Sequence, residues 1–111
     1  MSDAYDREKL VELFGDDAAT LAEVEREFFD TAREAEREIS STDDLATIAR
    51  AAHRLKGASG MIGAEKLHQI AAAVERAAKA GDLTTVRRMH GIFLQEVQNV
   101  ADQAGLLVDG D

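Results

Sequence analysis

The chain has 111 residues, 45% hydrophobic and 32% charged, with no proline, no cysteine and a formal charge of −9. That length suits a single domain over residues 1–111. The absence of cysteine excludes disulfides, thiolate metal sites and thiol catalysis, and so acidic a surface would repel the phosphates of nucleic acid.

Alanine, glutamate, leucine and arginine dominate, and β-branched and aromatic residues are sparse, so the expected class is all-α. The opening residues Met1 to Asp6 are acidic and lack the apolar stretch of a signal peptide. No apolar run approaches the roughly 20 residues of a membrane span. A soluble, cytoplasmic protein without a membrane partner is the resulting expectation.

Five helical stretches are predicted. The first, Asp6 to Phe14, is short, carries Leu10, Val11, Leu13 and Phe14, and stops at Gly15. Asp16 or Asp17 then caps a long helix to about Ile39, whose apolar stripe is Leu21, Val24, Phe28, Ala32, Ala35 and Ile39. Ser41 or Thr42 is the expected cap of a third helix that runs to about Ser59 and buries Leu45, Ile48, Ala52, Leu55 and Ser59.

Gly60 and Gly63 bracket a tight connection to a fourth helix ending near Lys79, with Leu67, Ile70, Ala71, Val74 and Ala78 inward. Gly81-Asp82 reads as a stop followed by a new cap. The last helix runs unbroken to about Gly105 on a stripe of Leu83, Val86, His90, Phe93, Val97 and Val100. Four long amphipathic helices with short loops favour an antiparallel up-down-up-down four-helix bundle. The short N-terminal helix caps one end, and Leu106, Leu107 and Val108 are expected to fold onto the other.

Charge is unevenly placed. Residues 50–79 carry Arg50, Arg54, Lys56, Lys66, Arg76 and Lys79 against Glu65 and Glu75, a local +4 that leaves −13 on the remainder. A basic island in an acidic chain suits an anion or an acidic partner. The plainer reading, that Arg54 and Lys56 complement a helix C-terminus, stays open.

Successive helix residues advance about 100°. With Leu45 at zero, the core stripe of the third helix centres near about 320° and His53 falls near about 80°, toward solvent. Ala46, Ala49, Gly57 and Gly60 lie within about 40° of it, and Lys56 stands on the shoulder. Glycine inside a helix costs about 1 kcal/mol relative to alanine, so two beneath one histidine point to cleared space. A fraying helix end would also account for Gly60. A neutral imidazole is a competent nucleophile near neutral pH, and Lys56 is placed to offset the charge of a phosphoryl group on the ring. No glycine-rich nucleotide loop is present, so the chain would receive and pass on such a group rather than take it from ATP.

The run His53-Arg54-Leu55-Lys56-Gly57-Ala58-Ser59-Gly60-Met61-Ile62-Gly63-Ala64 resembles the signature H-x-L-K-G-x-S-x-x-x-G-A of histidine-containing phosphotransfer (HPt) domains. The wider pattern, from Gly15-Asp16-Asp17 through Phe28-Phe29 to Gly81-Asp82, is similar over nearly the whole chain. The family forms four-helix bundles that shuttle phosphoryl groups between the aspartates of receiver domains.

The resemblance implies His53 as phospho-acceptor with Lys56 and Gly57 beside it. It implies Glu75, 22 residues on, as the carboxylate bonded to the ring. In a hairpin turning near residue 61, the opposed tilts of the two side chains bring their tips together. Nδ1 would then be held and Nε2 left to attack, although a solvated surface glutamate is the alternative.

Receiver domains and a hybrid histidine kinase are the implied partners, docking over Ala46, Ala49, Arg50, Gly57 and Gly60. No cofactor is implied, since Mg²⁺ belongs to the receiver, and the chain is expected to be a carrier rather than an enzyme. Its start at Met1 favours a free-standing protein. Ala58 departs from the serine common at that position. Ser59 is read as a packing residue that bonds back to the backbone.

His68 is expected to face solvent and His90 to be a satisfied core residue. Glu65-Lys66-Leu67-His68 supplies one E-x-x-H fragment, whereas di-iron bundles need two and further inward carboxylates. The remaining rival is a helical adaptor that binds receivers without transferring anything.

Overall fold

The computed structural model describes residues 3–106. Six helices follow one another: α1 Arg7–Phe14, α2 Ala18–Ser40, α3 Leu45–Met61, α4 Glu65–Lys79, α5 Leu83–Arg88 and α6 His90–Ala104. There is no strand among the described residues, and no helix there is long and apolar enough to cross a membrane. The expected all-α bundle is therefore what the chain forms. α2 packs on α3 and α6, α4 packs on α3 and α6, and α1 lies against α2.

Aspartates start four of the six described helices. Asp6, Asp17 and Asp82 accept the backbone N–H groups of Lys9, Thr20 and Thr85 at 3.2, 3.0 and 3.0 Å, satisfying donors that have no partner inside the helix. The hydroxyls of Thr20, Thr47 and Thr85 also donate to Asp17, Asp44 and Asp82, and those bonds hold all three carboxyls below their usual range.

At α3 the cap is Asp44, not Ser41 or Thr42. Ser41 closes α2 instead, and Thr42 accepts the N–H of Asp44 at 3.1 Å, tying the connection to the start of α3. The polar cluster serves two helix ends, which is why choosing the cap by residue type alone placed it early.

The inward stripes of α2, α3, α4 and α6 meet in one core. Phe28, Phe29, Ile48, Leu55, Leu67, Val74, Phe93 and Val100 are all buried, each large side chain contributing about 1.5–3 kcal/mol on removal from water. α1 buries only Leu10, and leaves Leu13 and Phe14 exposed. Leu106 packs partly against the core, whereas Leu107 and Val108 lie outside the described residues.

The N-terminal segment is tied down by polar contacts. The Gln103 side chain accepts from the backbone of Ala4 and Tyr5 at 2.6 and 3.2 Å and donates to the Tyr5 carbonyl at 3.0 Å. The Tyr5 hydroxyl donates to buried Glu25, which Arg7 also meets at 3.2 Å. Burial, reinforced by Glu25, pushes that hydroxyl's pKa well up, so it stays a donor. The Asp6 N–H bonds the Ile62 carbonyl at 3.0 Å, laying the segment across the α3–α4 turn. There Gly63 has φ +69°, and a Cβ on it would stand 2.7 Å from the Asp6 Cβ, so only glycine fits.

The predicted single C-terminal helix is broken at Met89. The Met89 N–H is shared between the carbonyls of Thr85 and Val86 at 3.2 Å each, a tightened turn. Side chains on both sides of the break are claimed by α2 and the loop after it. Arg87 donates to the Ile39 carbonyl at 2.9 Å, the Thr42 carbonyl at 2.5 Å and Asp43 at 2.7 Å. His90 pairs through Nε2 with Glu36 at 3.0 Å. These contacts correct the expectation for His90, which is half-exposed and paired rather than a core residue.

Candidate functional site

α3 and α4 are joined by only Ile62-Gly63-Ala64, so they form a tight antiparallel hairpin. His53 projects from the outer face of α3 with its side chain 68% exposed. Glu75 sits across from it on α4, buried, with Oε2 2.9 Å from the His53 Nδ1. An ionised carboxylate only accepts, so Nδ1 carries the proton, and in a neutral ring Nε2 is left with the free lone pair.

Lys56 reaches the other Glu75 oxygen at 2.7 Å, and Lys79 reaches Oε2 at 3.0 Å. The Lys56 ammonium above all, then Lys79 and His53, pulls the Glu75 carboxyl down to about 2 against the opposing cost of burial. The carboxylate is thus ionised throughout the physiological range and surrounded by three basic side chains.

A groove of 450 Å³ opens on the ring, lined by Ala49, Arg50, His53, Arg54, Glu75 and Lys79. Ala46, Arg50 and Gly57 are exposed, whereas Ala49 and Gly60 are half-buried. A Cβ at Gly57 would meet nothing within 4 Å, so the fold itself does not require glycine there. Gly60 differs. A Cβ there would come 3.3 Å from the His68 Nδ1, and that nitrogen donates to the Lys56 carbonyl at 2.9 Å. Gly60 therefore makes room for His68 inside the hairpin, and His68 is half-buried against α3 rather than facing solvent.

Ser59 is fully buried, and its hydroxyl has no hydrogen-bond partner among the described residues, so the expected bond back to the helix is not made. The E-x-x-H fragment Glu65–His68 assembles no metal cluster: among the described residues no three His, Asp or Glu side chains converge on one point.

Two residues of the site stood out in the sequence only as members of the basic island, not as partners of His53. Lys79 is one; its signal is the Glu75–Lys79 spacing of four residues, which places an ion pair on one helix face. Arg54 is the other. It lines the groove while its guanidinium is held by Glu38 at 2.6 Å, a contact between α3 and α2 that no local spacing announces.

The site is thus an exposed histidine oriented by a buried carboxylate on the outer face of the bundle. The Hpt domain family model matches residues 9–103, and the chain belongs to that family. No curated protein and no solved structure matches the chain. Membership assigns a phosphotransfer-related role in a phosphorelay, where such domains are phosphocarrier modules that meet receiver domains.

Proposed function

We propose that Nε2 of His53 accepts a phosphoryl group from the aspartyl phosphate of one receiver domain and later passes it to the aspartate of another. The observation that carries this reading is the exposed imidazole whose Nδ1 is held 2.9 Å from buried Glu75. In the forward step the Nε2 lone pair forms the P–N bond while the P–O bond to aspartate breaks. The carboxylate leaves with that electron pair. A ring that keeps its Nδ1 proton becomes a cation once Nε2 is phosphorylated, and the adjacent Glu75 carboxylate stabilises it. The return step reverses these bonds.

Lys56, with Gly57 leaving space beside the ring, offsets the charge of the transferred group. Arg50, Ala46, Ala49, Gly57 and Gly60 form the docking surface. The receiver supplies Mg²⁺ and most of the electrostatic catalysis, and a hybrid histidine kinase is the upstream source of phosphoryl groups. On this reading the chain works in the cytoplasm and needs no cofactor of its own.

Incubation with a phosphorylated receiver should place acid-labile, base-stable label on the chain, and His53→Gln should abolish it with the thermal midpoint little changed. Absence of label with a broad set of receivers would favour an adaptor that only binds.

A further inference from the structure

The cations around the His53 groove differ in what neutralises them. Lys56 and Lys79 share Glu75 at 2.7 and 3.0 Å, and Arg54 is held by Glu38 at 2.6 Å. Arg50 lines the same groove, is exposed, and makes no ion pair among the described residues. Its guanidinium donates to the Thr47 hydroxyl at 3.3 Å, and that hydroxyl donates to Asp44 at 2.5 Å, so Asp44 acts on Arg50 through charge but not through a direct contact.

Resting on the phosphoryl-carrier reading above, we propose that Arg50 is the specificity-determining cation of the docking surface, selecting receiver domains that present a carboxylate one helical turn before His53. A partner carboxylate approaching Arg54, Lys56 or Lys79 would compete with an internal one already in contact. At Arg50 it competes with no ion pair, only with the 3.3 Å contact to the Thr47 hydroxyl, and meets a planar fork of donors suited to a bidentate pair.

Position supports the same assignment. Arg50 precedes His53 by three residues, about 4.5 Å along the helix, so both side chains can be engaged by one docked domain. The remainder of the chain carries −13 against +4 over residues 50–79. An acidic partner is therefore repelled elsewhere and steered to this face.

The test compares the native chain with Arg50→Ala, Arg50→Lys and Arg54→Ala. Each protein is loaded on His53 with phosphoramidate and then discharged by Mg²⁺-bound receiver domains of differing surface charge. At low salt, Arg50→Ala should raise KM about tenfold, the low end of electrostatic steering, for receivers with acidic docking faces, with kcat nearly unchanged.

Arg50→Lys should recover part of that loss, and Arg54→Ala, which removes a charge already cancelled by Glu38, should lose less. The difference should close at roughly 1 M salt, where the screening length is about 3 Å. Equal losses for Arg50→Ala and Arg54→Ala, a loss indifferent to salt, or no loss at all would overturn the inference while leaving the carrier reading intact. Failure of the native chain to load on His53 would overturn both.

Discussion

Lys79 places its ammonium 3.0 Å from the same Glu75 oxygen that holds the Nδ1 of His53, one helical turn further along α4. Lys56 occupies the other oxygen at 2.7 Å, so the carboxylate that orients the ring is itself oriented from both sides. The two lysines consequently act on His53 partly through Glu75.

Replacement of either lysine should slow phosphoryl transfer without ending it. We expect about a tenfold loss for Lys56→Ala, equivalent to about 1.4 kcal/mol at the transition state, and a smaller one for Lys79→Ala, whose side chain is 67% exposed against 32% for Lys56. Transfer rates from a fixed receiver decide the matter, and an unchanged rate would remove that lysine from the mechanism.

Glu75 couples the site to stability. Its carboxyl lies at about 2 in the folded chain against the ordinary value of 4.5. A depressed carboxyl stabilises the fold above its unfolded value, and that contribution is lost as pH falls through the folded one. Stability should therefore decline as pH falls from about 4.5 to about 2. Glu75→Gln should flatten that part of the pH profile in chemical denaturation. An identical slope in the variant would show that the ion pairs contribute nothing there.

Gly57 should show opposite signs in two assays. With open space where its Cβ would go, Gly57→Ala should stabilise α3 by about 1 kcal/mol, through helix propensity alone. Gly57→Leu should weaken receiver binding by filling the cleared surface. Undiminished affinity in the leucine variant would place the docking surface elsewhere. Gly60→Ala should gain less than Gly57→Ala, since its new methyl would stand 3.3 Å from the His68 Nδ1, which is held by its bond to the Lys56 carbonyl.

Ser59 offers a test of packing. Its hydroxyl is buried and has no partner among the described residues, and such a group carries a desolvation penalty of about 1–3 kcal/mol. Ser59→Ala should therefore be neutral or stabilising by up to about 1 kcal/mol, measured as a shift in the denaturation midpoint, with transfer unaffected. A clear loss of stability would mean the hydroxyl has a partner in solution.

Much of this architecture can be read from residue order, because a helix records its own environment every 3.6 residues. The stripes of α2, α3 and α4, the aspartates at Asp17 and Asp82, and the outward angle of His53 are all local properties. What periodicity cannot report is the axial register between helices, or which side chain wins a distant carbonyl. Folding brings Lys56 and Lys79 onto one carboxylate, sends Arg87 to the carbonyls of Ile39 and Thr42 and thereby accompanies the break at Met89, and turns His68 inward to the Lys56 carbonyl. Each of those outcomes is a competition between a local preference and a contact from another helix, and only packing decides it.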